Sequence, residues 1–172
     1  MKSDQFKSAL LENVEKRRPK GYSAEWSRDM YKIIEEIGKQ YGFKVRHKYK
    51  GGEINHLDFC YIGASKDSIA SPPSVIIEHE NAWSEKETQK DFWKLCLYAI
   101  PLRVMFGYQS SSKGAKNVGE SLIQFYNENG LRQAEFSETL LIMGWDQDTK
   151  NRKWHSWTLK GKGNSWKYEI LR

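Results

Sequence analysis

Three acids lie in stretches of the chain that otherwise belong in a hydrophobic interior. Asp58 sits in NHLDFCYI, and Glu78 and Glu80 sit in VIIEHEN. An ionised carboxylate removed from water is costly unless it is paired or holds a cation. Side chains repeat every two residues along a strand, so Glu78 and Glu80 are expected on one face, about 7 Å apart. If a neighbouring strand carries Asp58 at the same level, three carboxylates converge on one point, which suits a hard divalent ion, Mg2+ or Mn2+. The alternative is that each acid pairs with a lysine at the sheet edge.

Other arrangements carry less chemistry. His47, His56, His79 and His155 are dispersed, and His79 falls on the opposite strand face from Glu78, so ligand spacing argues against zinc. His56 shares a strand face with Asp58, either bonding to it or filling core. Asp146 and Asp148 form an Asp-x-Asp within WDQDTKNR, a stretch of loop-formers that reads as a hairpin turn. No nucleophilic-serine elbow, phosphate-binding P-loop or glycine-rich dinucleotide fingerprint occurs. Cys60 and Cys96 sit in apolar segments outside any Cys-x-x-Cys pair, which predicts a reducing, cytoplasmic setting. No apolar run approaches the ~18 residues of a membrane span, and the charged start MKSDQFKSALLENVEKRR lacks a signal-peptide pattern.

The elements that must position the acids follow from hydrophobic periodicity. Ser3 to Arg18 reads as an amphipathic helix, and a second helix runs from an N-cap at Ser23 to about Tyr41, with Gly42 stopping it. The period then changes to two. Phe43 to Lys50 reads as a strand with Lys44, Arg46, Lys48 and Lys50 on one face, followed by a Gly51-Gly52 turn and a strand from Ile54 to Ile62. Ser74 to Glu80 is a short buried strand. Ser84 and Glu87 make a capping box that opens a helix reaching about Ile100. A strand at Arg103 to Tyr108, a helix from about Ala115 to Asn129, and three strands at Thr139 to Trp145, Trp154 to Leu159 and Trp166 to Leu171 complete the chain. The order predicts an α/β sandwich with a mixed sheet. One domain spans 1–172, with a core at about 23–130 and a C-terminal β meander at about 138–172.

The 172 residues carry a net charge of +6, all of it in the stretch from Lys150 to Arg172, where seven bases face the single acid Glu169. A basic excess gathered in one region is the footprint of a polyanion partner. Lys44, Arg46, Lys48 and Lys50, Lys113 in the loop before a helix N-terminus, and Lys153 and Lys160 in the meander are the candidate phosphate contacts. Trp154 and Trp157, interleaved with lysines, suit either stacking on unpaired bases or core, whereas the alternation of Trp166, Tyr168 and Ile170 predicts a buried sheet face.

Helix, strand pair with Asp58, strand ending in Glu78-His79-Glu80, helix, strand: this run, over about Ser23 to Tyr108, resembles the αβββαβ core of the PD-(D/E)XK, or restriction-endonuclease-like, nuclease superfamily. The resemblance implies Asp58 and Glu78 as metal ligands for Mg2+ or Mn2+, with the His79 carbonyl nearby, and hydrolysis of phosphodiester bonds, in DNA foremost and in RNA as the alternative. It also implies self-association as a homodimer, although no heptad or apolar stripe in the sequence points to one. Leu57, not proline, precedes Asp58, and Glu80 stands at the usual lysine position. Glu80 would then orient or deprotonate the nucleophile or act as a third ligand, with Lys86, Lys90 and Lys94 as candidates for the missing cation. Gln89 with Trp93 is similar to the Gln-x-x-x-Tyr pattern of exonuclease-type members, which places Gln89 beside Glu80; the alternative leaves Gln89 in solvent. Glu36 is the candidate for the helical acid that many members add. A catalytically silent module of the same fold, binding nucleic acid or a protein, is the competing reading.

Overall fold

Along the central strands apolar side chains alternate in two directions, and each direction meets its own pair of helices. The structure, a computed structural model, describes residues 1–17, 24–47, 57–63, 72–81, 84–131, 133–145, 153–162 and 165–172. In chain order these form α1 (Ser3–Arg17), α2 (Ala24–Gln40), β1 (Phe43–His47), β2 (Phe59–Gly63), β3 (Pro73–His79), α3 (Glu85–Cys96), β4 (Leu102–Gln109), α4 (Ser112–Glu128), β5 (Glu138–Trp145), β6 (Trp154–Lys160) and β7 (Trp166–Leu171). The seven strands make one sheet in the order β1-β2-β3-β4-β5-β6-β7. β3, β4 and β5 run parallel, and every other neighbouring pair is antiparallel. The expected α/β class, the mixed sheet and the C-terminal β meander are all present. So is the order helix, three strands, helix, strand, as α2-β1-β2-β3-α3-β4.

Phe59, Tyr61, Val75, Ile77, Val104, Phe106 and Ile142 point to the face covered by α1 and α2. Cys60, Ile76, Met105, Leu141, Met143 and Trp157 point to the face covered by α3 and α4. Strands apolar in both directions need cover on both sides, which is why the middle of the sheet lies between two helical layers. α3 starts where the Ser84 hydroxyl accepts from the Glu87 amide, as the capping box predicts. α4 starts three residues earlier than its hydrophobic period suggests, because Ser111 caps it by accepting from the Gly114 amide at 3.1 Å.

α4 lies so close to the sheet that a methyl group at Gly119 would collide with the Trp157 six-membered ring. Trp157 is itself buried and cannot move aside. Gly119→Ala should therefore lower stability by about 2 kcal/mol in urea denaturation despite its better helix propensity. An unchanged midpoint would show that this helix does not seat on Trp157.

For the tryptophans of β6 the core alternative holds. Trp154 and Trp157 are both buried, on opposite faces of β6, and neither is available to stack on a base. The expected buried face of β7 is only partly so. Trp166 packs edge-on against Tyr126 of α4, but Tyr168 and Ile170 are 42% and 41% exposed. The cause is position: β7 is an edge strand, and α4 packs over β4, β5 and β6. The stretches 48–56 and 146–152, with Lys48, Lys50, His56, Asp146 and Asp148, fall outside the described residues, and the second strand of the expected hairpin is described only from Leu57 onward.

Candidate active site

Antiparallel pairing of β2 with β3 sets Phe59 opposite Ile77, so Asp58, one residue before β2, comes level with Glu78. Glu78 alternates with Ile77 and therefore faces the α3 and α4 side. Both acids are almost completely buried, at 2% and 1% exposure. Asp58 Oδ2 accepts a hydrogen bond from the His79 amide at 2.8 Å, which fixes the carboxylate at the end of β3. Glu78 Oε1 lies 3.0 Å from Lys94 Nζ, in an ion-pair contact rather than an aligned hydrogen bond. Lys94 in turn reaches Asp91 Oδ1, one helical turn earlier on α3, at 2.8 Å.

Burial raises the Glu78 carboxyl to a pKa of about 8, and the charge on Asp58 adds to the shift while Lys94 opposes it. Burial works to lower the Lys94 ammonium, but Asp91 and Glu78 together outweigh it and hold the ammonium above its ordinary range. Burial, reinforced by Glu78, also pushes the neighbouring Cys60 thiol up to about 12. Two carboxyls that cannot both ionise comfortably, with an ammonium between one of them and a third acid, make a centre in which a doubly charged ion would relieve the repulsion. All-oxygen donors fit magnesium or manganese rather than a thiolate-loving metal.

The third expected acid does not complete a cluster. β3 ends at His79, and Glu80 lies one residue beyond, its amide donating to the Phe106 carbonyl at 2.9 Å. Among the described residues no group of three or more His, Cys, Asp or Glu side chains is arranged to hold a metal ion. The pair Asp58 and Glu78 is what the fold brings together, with Lys94 and Asp91 as its partners. Asp91 carries one sequence signal for this place, the i,i+3 spacing to Lys94.

Gln89 lies elsewhere. A helix turns about 100° per residue, which places Gln89 about 160° around α3 from Asp91. Its flank neighbours at i−4 and i+4 both face α4: Glu85 accepts from the Ser121 hydroxyl, and Trp93 packs edge-on against Phe125. Gln89 thus borders the helix pair rather than Glu78. Glu36 is also displaced from the centre, because it pairs with Arg17 across α1 and α2. His79 faces away from Glu78 as expected, packing against Tyr31 and Phe106 with Nε2 3.2 Å from the Tyr108 hydroxyl.

The basic residues divide by location. Phe43 and Val45 pack toward α1 and α2, so Lys44 and Arg46 project from the other face of β1, the face of Glu78. Arg46 stands opposite Cys60 in the register, one strand from the acids, and Lys44 is exposed. Lys113, exposed in the first turn of α4, and Lys153, just before β6, lie at the C-terminal ends of the parallel strands, beyond α3 from the acid pair. Lys160 lies at the opposite end of the sheet, where it pairs with Asp4 at 2.7 Å, so it belongs to no surface shared with Glu78. No protein-family model, curated protein or solved structure matches this chain.

Proposed function

We propose that the protein is a divalent-metal-dependent nuclease with a restriction-endonuclease-like core, hydrolysing phosphodiester bonds in DNA. The observation that carries this reading is the buried pair Asp58 and Glu78, close enough for the charge on Asp58 to act on Glu78, with the Lys94 ammonium 3.0 Å from Glu78. The element order α2-β1-β2-β3-α3-β4 supports it. Lys94, reaching in from α3, supplies the cation that Glu80 cannot.

In this reading Asp58 and Glu78 hold Mg2+ or Mn2+. Bound there, the ion supplies Lewis-acid stabilisation of the phosphoryl oxygens and an acidified water. Lys94 carries three N–H donors and orients the nucleophile or a non-bridging phosphate oxygen. Asp91 keeps that ammonium charged and aimed at the centre. Lys44 and Arg46, on the sheet face of Glu78, take the neighbouring phosphates.

The test is cleavage of plasmid, linear duplex and single-stranded DNA with Mg2+ or Mn2+, set against a chelator control, with RNA in parallel. Cutting that requires the ion and disappears in Asp58→Ala is the expected result; no cutting of any substrate with either ion would overturn the reading. A second reading, a silent module that binds nucleic acid or a protein, is favoured by one observation: Lys94 already neutralises part of the acid pair. Manganese distinguishes the two, because an ion that binds only the folded state raises the melting temperature and a silent module shows no such rise.

A further inference from the structure

We infer that the outer edge of β7 is a self-complementary interface through which two copies of the chain pair strand to strand. Among the described residues no strand pairs with that edge. It carries the run Trp166-Lys167-Tyr168-Glu169-Ile170. Tyr168 and Ile170 expose apolar surface on one face of it, and Lys167 is exposed on the other. A bare, partly apolar edge is normally blunted, often by a lysine. Here the lysine has a complement two residues away.

Symmetry selects the register. When two identical strands pair antiparallel about a two-fold axis, directly opposed side chains must share a face, so the axis passes through a residue and not between residues. An axis at Lys167 opposes two lysines, and an axis at Glu169 opposes two glutamates. An axis at Tyr168 sets Lys167 against Glu169 of the other copy, twice. On the other face it sets Tyr168 against Tyr168 and Trp166 against Ile170. Opposite charges and aromatic or aliphatic pairs directly across are the favourable cross-strand contacts, and like charges across are unfavourable. One register therefore satisfies both faces.

The strand is held ready for this. His155 Nε2 faces the Ser112 carbonyl oxygen at 3.1 Å, which can only accept, so Nδ1 accepts from the Tyr168 hydroxyl at 2.7 Å. The Tyr168 ring also stacks on His155 and leans on Trp157. On the opposite face Glu169 pairs with Lys7 of α1, which leaves its second carboxylate oxygen for Lys167 of the other copy.

Sedimentation equilibrium and cysteine cross-linking test this inference. The wild type should sediment at twice the 20.2 kDa chain mass in the micromolar range. Lys167→Glu, a change at an exposed side chain, should raise the dimer dissociation constant about tenfold or more by opposing two acids on each side of the axis. In Tyr168→Cys the two thiols face each other across the axis at a Cα spacing of about 5 Å, within disulfide reach, and mild oxidation should give a covalent dimer. In Ile170→Cys they lie about 14 Å apart along the strands and should not cross-link. Cys60 and Cys96 are buried and do not compete. A monomeric wild type, a dimer indifferent to Lys167→Glu, or cross-linking at 170 in preference to 168 would each overturn the inference. If Tyr168→Cys fails to fold, the Lys167→Glu comparison still decides.

Discussion

Glu78→Gln should stabilise the metal-free protein at alkaline pH and abolish cleavage, so that stability and activity move in opposite directions. The carboxyl has a folded-state pKa of about 8 against 4.5 for a glutamate free in water, raised first by burial and then by Asp58. An acid that binds its proton more tightly in the folded chain contributes stability that is fully present below about pH 4.5. That contribution is lost as pH rises through about 8, and the three to four units between are worth at most about 5 kcal/mol. A carboxamide has the shape of the protonated acid and no proton to lose. Denaturation midpoints measured from pH 5 to pH 9 should therefore fall for the wild type relative to Glu78→Gln, with the gap opening toward pH 8; parallel curves would show that Glu78 does not titrate in this window. Manganese should close the gap for the wild type, since an ion bound by ionised Glu78 competes with the proton, and should leave the variant unmoved. Cleavage should fall by about 10³-fold or more in the variant, the several kcal/mol that a Lewis acid supplies to the transition state.

What the sequence discloses about this site has a physical boundary. An acid in an apolar strand is conspicuous because burial is costly, and Asp58 and Glu78 are both legible on that ground and both buried. Their meeting depends on a register, Phe59 opposite Ile77, that strand alternation alone leaves open among even shifts. Grouping Glu80 with them extends period two one residue past the end of the strand. For α3 the periodicity centres the apolar face on Phe92, Cys96, Ala99 and Ile100, with Gln89 among them. The helix instead ends at Cys96 and buries Thr88, Phe92, Leu95 and Cys96, a stripe with polar residues on both flanks. Gln89 and Glu85 occupy one flank, and Asp91 and Lys94 the other. Which flank meets Glu78 is settled by how the helix lies across the strands, with Trp93 against Phe125 turning Gln89's side toward α4. The same limit applies to the tryptophans. Trp154 and Trp157 are three residues apart and so face opposite ways on β6, a pattern that reads as undecided until helices are known to cover both faces. Tyr168 and Ile170 alternate as core residues do, and only the place of β7 at the sheet edge leaves them exposed.

Lys94→Ala should tighten the divalent ion and still cost activity. In the resting centre the ammonium lies 3.0 Å from Glu78 and 2.8 Å from Asp91, so an incoming cation must share both the space and the carboxylate with it. Removing the ammonium leaves Glu78 and Asp91 without the cation that contacts both. The metal-free variant should be destabilised, and the rise in melting temperature on adding manganese should exceed that of the wild type. A lysine that served only as a counter-ion would be replaced by the metal, and cleavage would survive at saturating ion. A lysine that orients the nucleophile or a phosphate oxygen is not replaced, and the rate constant at saturating metal and substrate should drop by about 10² to 10⁴-fold, the usual contribution of a positioned proton-transfer or charge-stabilising group. Asp91→Asn provides the complementary case: it frees the ammonium from its second acid without removing it, so turnover should fall far less than in Lys94→Ala. Equal turnover of wild type and Lys94→Ala at saturating manganese would remove Lys94 from the chemistry and leave Asp58 and Glu78 to act with the ion alone.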